Sequence, residues 1–261
     1  MSWKYVTIEK KDRIAIVRID RGDGVNAMST ELIGELTEAA RSFDGDLETA
    51  AIVVTGTDKV FSMGYDLKQP RAADMGLGEQ RYLNQMGPKL CRLWEELEQI
   101  TICAVEGWCV GGGVAFAVVF DLRVASKGAT FYAPEIERGM NMSWQSVPRT
   151  VNLVGPARTK RLFALAERIS AETAENWGLV DGLTEDGEAL AGALKFANRA
   201  AGMPPIPLRM IKNGINGAAN ALNTATSFMD ADQHTLSRQT EDFEEGVQSF
   251  LEKRPPDYSG R

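Results

Sequence analysis

Three consecutive glycines, Gly111 to Gly113, stand directly before an almost entirely apolar run in "CVGGGVAFAVVFD". Glycine is unfavourable inside a helix or strand, because it costs conformational entropy and packs no side chain. If the apolar run is a helix, its first backbone N–H groups are unpaired and carry the positive end of the helix dipole. Such amides can form an oxyanion hole for a substrate carbonyl. The alternative is a tight turn in which backbone packs on backbone.

The charge of the chain argues against nucleic acid as a partner. The 261 residues carry a net charge of −7, whereas binding to a phosphate backbone needs clustered lysines and arginines. No uninterrupted apolar run approaches the ~20 residues of a membrane-spanning helix, and the N-terminal stretch has no signal- or transit-peptide pattern. We therefore expect no nucleic acid and no membrane as partners, and a cytoplasmic location.

The cysteines and the single histidine restrict the available chemistry. Cys91, Cys103 and Cys109 lack paired spacing, which is typical of free thiols in a reducing compartment. His234 lies in a polar segment without a nearby nucleophile motif, so histidine-dependent serine or cysteine catalysis is disfavoured. Without a second histidine or paired cysteines, a zinc site is disfavoured too, and we expect no metal.

Alternating strand and helix patterns in the first two thirds of the chain predict an α/β core with parallel strands. Two strands, residues 4–10 and 13–20, precede an amphipathic helix that begins at Ser29 or Thr30 and ends near Phe43. The last third is helical by pattern. We predict an α/β core over residues 1–200, followed by a helical extension over residues 201–261.

Two motifs about forty residues apart resemble the paired signature of the crotonase (enoyl-CoA hydratase/isomerase) superfamily. They are "TG…FSMGYDLK" around Tyr65 and "GWCVGGG…FD" around Gly112, and "TFYAPEIERGM" and "VQSFLEKRPP" match further family segments. The resemblance implies the crotonase fold, with a repeated β-β-α superhelical core and a C-terminal helical trimerisation extension. It also implies an acyl-CoA thioester substrate, no cofactor other than the coenzyme A of that substrate, and a homotrimer or hexamer.

The resemblance assigns roles to individual positions. The backbone N–H groups of Tyr65 and Gly112 would hold the thioester oxygen as negative charge develops on it. The other positions expected to bind the acyl-CoA substrate are Asp66, Leu67, Lys68, Gly111, Trp144, Phe250 and Lys253. Trp144 replaces part of a small, glycine-rich family loop, so it could shape the acyl pocket or simply belong to the core.

The acid–base residues depart from the hydratase pattern. Family hydratases carry one glutamate two residues after the glycine triplet, where this chain has Ala115, and a second at Glu135 in "YAPEIERG". A single carboxylate can remove a proton beside a thioester carbonyl and return it elsewhere on the substrate. Enoyl-CoA double-bond isomerisation is therefore the first prediction, and enoyl-CoA hydration is the alternative. Asp74, Glu79 or Tyr82 could replace the missing partner.

Further alternatives stay open. A hydratase-lyase acting on an aromatic acyl-CoA is disfavoured, because the tyrosines expected of it align with Pro70 and Phe228. An aspartate expected of dienoyl-CoA isomerases and dehalogenases aligns with Ser143. Glu137 would share the face of Glu135 if the segment is extended, and could then assist it. A non-catalytic acyl-CoA binding protein is the remaining hypothesis.

Overall fold

Two β-sheets form the centre of the molecule in the computed structural model, which describes residues 3–66, 68 and 75–261. The strands of these residues are β1 (Val6–Lys11), β2 (Ile14–Ile19), β3 (Ala51–Thr55), β4 (Val60–Ser62), β5 (Ile100–Val105), β6 (Trp108–Val110), β7 (Leu122–Ser126), β8 (Thr130–Tyr132), β9 (Ile169–Ser170) and β10 (Gly182–Thr184). One sheet has the order β1-β2-β3-β5-β7-β10, and the other β4-β6-β8-β9. Only β1–β2 and β8–β9 pair antiparallel, so the predicted parallel core is confirmed.

Helices cover the sheets and form the C-terminal third. They are α1 (Thr30–Arg41), α2 (Leu77–Asn84), α3 (Met86–Glu96), α4 (Gly112–Ala117), α5 (Ser146–Phe163), α6 (Ala171–Trp177), α7 (Ala189–Ala201), α8 (Pro205–Ala219), α9 (Asn223–Ser227), α10 (Asp230–Ser237) and α11 (Glu241–Glu252). A short 3-10 helix covers Ile136–Arg138. The side chain of Ser29 caps α1 by accepting a hydrogen bond from the Leu32 N–H, as its sequence predicts.

The central strand β3 is buried on both faces, which explains its continuous apolar sequence. Ala51 and Val53 point to one face of the sheet, where they pack against alanines of α7. Ile52 and Val54 point to the other face and join the main core, which includes α1 and α3. The alternation follows from the two-residue period of a strand.

The apolar run after the glycine triplet begins with a helix, α4, although its periodicity alone fits either a helix or a strand. Gly111 has φ 51° and ψ −116°, a conformation that ends β6 and turns the chain into α4. All six residues of α4 are buried. Its Phe116 ring packs against the rings of Phe61, Trp94 and Phe120. The N-terminus of α4 is thereby fixed at the C-terminal end of β6, an interior strand of the second sheet.

The C-terminal helices fold back over the segment that follows β8. Gly246 of α11 lies so close to this segment that a Cβ there would come within 2.6 Å of the Arg138 Cα. On α10, Asp232 and Thr235 bind Arg81 and Asn84 of α2. The division of the chain at residue 200 stays a prediction. Of the helices in the described residues, none combines the length and apolar character that a membrane crossing requires.

Candidate active site

Two backbone amides lie side by side where the loop after β4 meets the start of α4. A Cβ built on Gly112 would lie 3.4 Å from the backbone nitrogen of Tyr65. The Met28 N–H donates to the Gly64 carbonyl at 2.7 Å, and the Asp66 N–H donates to the Met28 carbonyl at 3.3 Å, which holds the Tyr65 loop in place. Within the described residues, neither the Tyr65 nor the Gly112 amide donates a hydrogen bond. Both donors are therefore available to a substrate oxygen.

The neighbouring glycines make this close approach possible. A Cβ on Gly64, which has φ 86°, would come within 2.7 Å of the Val110 carbonyl oxygen. A Cβ on Gly113 would lie 3.0 Å from the Ser62 side chain and its carbonyl oxygen. Gly111 donates its N–H to the Tyr132 carbonyl at 2.8 Å. The triplet thus serves both the turn into α4 and the contact with the Tyr65 loop.

Glu135 lies beside the same glycines, at the start of the 3-10 helix. A Cβ on Gly111 would come within 2.4 Å of Glu135 Oε1, so the carboxylate lies against the backbone. Although part of the side chain is accessible, Oε2 is buried and has no hydrogen-bond partner among the residues that the structure describes. Burial raises the pKa of Glu135 to about 7. Such a group can both accept and release a proton near neutral pH.

Trp144 fills the space on the other side of the Gly112 amide. Its Cη2 atom would lie 3.3 Å from a Cβ on Gly112, and its Cε2 atom 2.0 Å from a Cβ on Gly87 of α3. The residue has φ 62°, followed by Gln145 with φ 56°. The Gln145 N–H donates to Asp230 Oδ2 at 2.5 Å, which ties this unusual backbone to α10. Trp144 thus lies beside the Gly112 amide and also packs against the main core, and its role in the acyl pocket stays a prediction.

The residues after Tyr65 are anchored to the loop near the N-terminus. Asp66 is buried and forms an ion pair with Arg21 Nη1 at 2.9 Å. Its other carboxylate oxygen accepts a hydrogen bond from the Lys68 N–H at 3.0 Å, while the Lys68 side chain is exposed. The Asp66 side chain is therefore engaged within the protein. Leu67 lies outside the described residues, as do Pro70 and Asp74.

Phe250 and Lys253 are the two C-terminal positions expected to bind the substrate. Phe250 contacts Arg138, which lies three residues after Glu135. The Arg138 guanidinium lies 4.4 Å from the centre of the Phe250 ring. Arg138 follows Glu135 by one turn of the 3-10 helix and donates to the Pro134 carbonyl at 3.1 Å. Lys253 ends α11 with φ 56° and is exposed.

Glu137 does not share the surroundings of Glu135. The chain turns here as a 3-10 helix instead of extending, so residues two apart no longer point the same way. The exposed Glu137 carboxylate accepts a hydrogen bond from the Tyr132 hydroxyl, and its carbonyl accepts one from Tyr258 at 2.6 Å. The expectation of an auxiliary acid, which depended on an extended segment, loses its basis. Glu79 and Tyr82 lie on α2, whose side chains are not buried.

The histidine is partly buried and the three cysteines are buried. His234 Nδ1 lies 3.2 Å from the Asn141 carbonyl oxygen, and burial lowers the pKa of the imidazole to about 4, so the ring is neutral at pH 7. Cys91, Cys103 and Cys109 are free and fully buried, and burial raises the pKa of each thiol. These thiols are therefore protonated and inert at neutral pH.

Arg238 is a residue near the site that the sequence did not single out. It ends α10, and its guanidinium carbon lies 5.4 Å from the centre of the Phe243 ring. Its Nε atom is buried and has no hydrogen-bond partner in the described part of the chain. The positive charge of Arg238 acts on the Tyr65 phenol, where it opposes the rise in pKa that burial causes. The sequence around Arg238 is that of a polar helix, and no local pattern in it predicts that this arginine lies near Tyr65.

Comparison with known proteins identifies the family of this chain and agrees with the fold. The family model described as enoyl-CoA hydratase/isomerase matches residues 9–261. The chain is 30% identical over 260 residues to crotonyl-CoA hydratase of Syntrophomonas wolfei subsp. wolfei, with 99% of each chain covered. It is 31% identical over 256 residues to short-chain-enoyl-CoA hydratase of Clostridium acetobutylicum, with 97% of each covered.

The fold is also that of a solved structure. The crystal structure of an enoyl-CoA hydratase/isomerase from Pseudoalteromonas atlantica matches with a TM-score of 0.88 at 24% identity, covering 98% of this chain and 100% of that one. The predicted crotonase fold with its C-terminal helical extension is thus confirmed. By sequence and by fold, this chain is an enzyme that belongs to the enoyl-CoA hydratase/isomerase family.

Proposed function

We propose that this enzyme isomerises the double bond of an enoyl-CoA thioester, with Glu135 as its only acid–base residue. The observation that carries the proposal is the contact between the Glu135 carboxylate and Gly111, directly before the Gly112 amide. The Tyr65 and Gly112 N–H groups would hold the thioester oxygen. Negative charge develops on that oxygen as a proton leaves the neighbouring carbon, and two fixed donors stabilise it.

The reaction then needs one group that moves one proton. Glu135, as the carboxylate, removes a proton from C2 of a 3-enoyl-CoA, and the electron pair delocalises onto the thioester oxygen as a dienolate. The protonated Glu135 returns the proton to C4, and the double bond forms between C2 and C3. A pKa of about 7 suits both steps, because neither the loss nor the gain of the proton is strongly uphill.

Hydration of a 2-enoyl-CoA is the second candidate, favoured by the names of the two relatives, both of which are hydratases. A hydratase must take a proton from water and deliver one to C2, which two carboxylates do more readily than one. Here the position of the first family glutamate is Ala115, buried in α4. This absence of a carboxylate is the reason to place isomerisation first.

Membership of the family supports a proposal for the substrate and the assembly. We propose an acyl-CoA thioester as substrate, with no other cofactor, and a homotrimer or hexamer in a cytoplasmic setting. Exposed apolar side chains on α8 support an assembly, because a solvated helix rarely carries so many: Ile206, Met210, Ile211 and Ile215.

The test supplies 3-enoyl-CoA and 2-enoyl-CoA thioesters in deuterated water and follows both by mass spectrometry. Glu135→Gln removes the base, and Glu137→Gln is the matched control, because Glu137 is exposed and engaged elsewhere. Double-bond migration with deuterium incorporation, abolished by Glu135→Gln and retained by Glu137→Gln, supports the isomerase. Addition of the mass of water indicates a hydratase. If the protein binds the thioesters tightly but converts none of them, the result would contradict the proposed reaction and indicate a non-catalytic acyl-CoA binding protein.

A further inference from the structure

Trp144 and Gln145 both have left-handed backbone conformations, with φ 62° and φ 56°. Nowhere else in the described ranges do two adjacent residues other than glycine have positive φ. This region is unfavourable for a bulky residue, because the Cβ atom crowds the following carbonyl oxygen. Such strain persists only where the surrounding structure imposes it, and it is most frequent at functional sites. Contacts from other segments must therefore hold this turn.

One set of contacts comes from Arg149 of α5. Its Nη1 atom donates to the carbonyl oxygens of Trp144 at 3.1 Å and Gln145 at 2.9 Å. The guanidinium is itself fixed, because Nε and Nη2 donate to the two carboxylate oxygens of Glu95 at 2.6 and 2.8 Å. Arg149 is only 3% exposed, so these charge-assisted hydrogen bonds form away from water. The guanidinium thus holds both carbonyl groups of the turn.

Two side chains that follow residue 200 complete the network. Asp230, at the start of α10, accepts the Gln145 N–H on Oδ2 at 2.5 Å. Asn220, directly after α8, donates through Nδ2 to Glu95 Oε1 at 3.2 Å. The turn is therefore held by α5 and α10, and the guanidinium that holds it is fixed by α3.

This turn determines where the Trp144 indole lies, because φ sets the direction in which the Cβ leaves the main chain. The indole Cη2 atom would lie 3.3 Å from a Cβ on Gly112, and Cε2 2.0 Å from a Cβ on Gly87. The ring thus occupies space beside the Gly112 amide, a proposed oxyanion donor. Arg149 contacts the backbone of the turn and Glu95, so it can affect the acyl group only through the indole.

We propose that Arg149 and Asp230 are positioning residues, which hold the Trp144 indole beside the Gly112 amide and thereby restrict the substrate to short acyl chains. The inference rests on the proposed function in that the acyl group of a CoA thioester lies next to Gly112. It adds a substrate class, short-chain acyl-CoA thioesters, and two residues that control chain length without touching the substrate.

The first test follows the indole without substrate. Protein labelled with 5-fluorotryptophan has five labelled side chains, and Trp144→Phe identifies the fluorine resonance of Trp144. Arg149→Lys keeps a positive charge beside Glu95 but lacks the planar fork that reaches the carbonyl groups. It should shift or broaden the Trp144 resonance more than the other four. Asp230→Ala, which leaves the ion pair of Arg149 intact, should act in the same direction.

The second test compares kcat/KM for four-carbon and eight-carbon thioesters, in whichever of the 3-enoyl and 2-enoyl series the enzyme converts. The wild type should favour four carbons, and Arg149→Lys should lower the ratio of four-carbon to eight-carbon kcat/KM by roughly 10-fold. In a Trp144→Ala background, Arg149→Lys should have no further effect on this ratio. Dissociation constants of saturated thioesters, which do not react, give the same comparison without turnover.

Arg123→Lys is the matched control. Arg123 is 1% exposed, lies 3.2 Å from Asp181 and donates to the carbonyls of Leu179 and Phe120. Its replacement should destabilise the protein in the same way as Arg149→Lys, as measured by urea unfolding, but keep the Trp144 resonance and the chain-length ratio.

Several outcomes overturn the inference. The Trp144 resonance could stay unchanged in Arg149→Lys, or in Asp230→Ala should Arg149→Lys not fold. Arg123→Lys could change the chain-length ratio as much as Arg149→Lys, which would indicate a general loss of stability. An effect of Arg149→Lys that persists without the indole would mean that Arg149 acts by another route. A protein that binds short thioesters selectively through Trp144 but converts none would instead keep the inference and reject the proposed reaction.

Discussion

The carboxylate of Glu135 lies against the α-carbon of Gly111, so closely that a methyl group at position 111 would come within 2.4 Å of Oε1. Gly111 also has φ 51°, which side chains other than glycine adopt with strain. We expect Gly111→Ala to displace Glu135 and to lower kcat/KM by roughly 100-fold or more, since a displacement of about 1 Å can cost that much.

Gly34→Ala is the matched control for this substitution. Gly34 lies inside α1 with open space around a built Cβ, so alanine should stabilise the protein by about 0.5–1 kcal/mol and leave activity unchanged. Steady-state kinetics and urea unfolding measure both variants. Full activity in Gly111→Ala would show that Glu135 does not need its present position.

The raised pKa of Glu135 predicts the pH dependence of the reaction. Only the carboxylate form accepts a proton, so kcat/KM should increase as the pH rises through about 7 and then level off. Glu135→Gln should lack this transition. A rate profile of the wild type that is flat from pH 5.5 to 8.5 would exclude Glu135 as the base.

The same pKa predicts a change in stability. A carboxyl whose folded pKa lies above its unfolded value of 4.5 is favoured in its protonated form by folding. Its stabilising contribution is complete below pH 4.5 and is lost as the pH rises through about 7. The wild type should therefore lose up to roughly 3 kcal/mol of unfolding free energy relative to Glu135→Gln between pH 4.5 and pH 8. Urea unfolding of both proteins at the two pH values measures this difference.

Trp144 and Gly87 should be coupled energetically. A Cβ on Gly87 would lie 2.0 Å from Trp144 Cε2, so Gly87→Ala should destabilise the protein by about 1–3 kcal/mol through overpacking. In a Trp144→Ala background the same substitution should cost much less, and a double-mutant cycle gives the difference. If the changes in unfolding free energy caused by Gly87→Ala and Trp144→Ala were additive, the two residues would not be coupled, and the indole could move away from a methyl group at position 87.

Removing the indole should also change substrate preference. Trp144 occupies space beside the Gly112 amide, so Trp144→Ala should raise kcat/KM for longer acyl chains relative to a four-carbon chain. The comparison of chain lengths is made with the wild type and with Trp144→Phe. An unchanged ratio would place the acyl chain away from this side chain.

Ala115→Glu should shift the reaction towards hydration. By resemblance this substitution restores the second carboxylate of a hydratase, at a cost in stability because Ala115 is buried. Ala117→Glu is the control, since Ala117 is equally buried in the same helix. We expect the ratio of hydration to isomerisation to rise only in Ala115→Glu. Mass spectrometry of the products in deuterated water gives that ratio.

Lys212 anchors α8 to the core through a buried ion pair. Its ammonium lies 2.7 Å from Asp121 Oδ2 and donates to the Gln99 carbonyl at 2.6 Å. Lys212→Met leaves Asp121 without its cation, although Thr101 still donates to it, and should cost about 3–5 kcal/mol. Adding Asp121→Asn should recover part of that loss in urea unfolding.

Features governed by local physical rules were predictable from the sequence. The cap at Ser29 depends on a hydroxyl next to the first turn of α1, and the burial of β3 follows from its unbroken apolar run. The motifs around Tyr65, Gly112 and Glu135 could be recognised as a set, and the structure brings them together. Their catalytic roles stay predictions.

Other features depended on contacts between distant segments. Periodicity could not distinguish helix from strand in α4, because a fully buried segment has no polar face; Gly111 and the packed aromatic rings decided it. Glu137 was expected near Glu135 only if the chain stayed extended, and the 3-10 helix turned it away.

The sequence by itself therefore determined the cap of α1 and the buried strand β3, because these depend on neighbouring residues, and the proposed catalytic groups were implied by the family resemblance. Only the tertiary structure decided that Trp144 lies between Gly87 and Gly112, and that the Glu135 carboxylate lies against Gly111. Burial and charge pairing arise when remote parts of the chain pack together, and no local pattern records them.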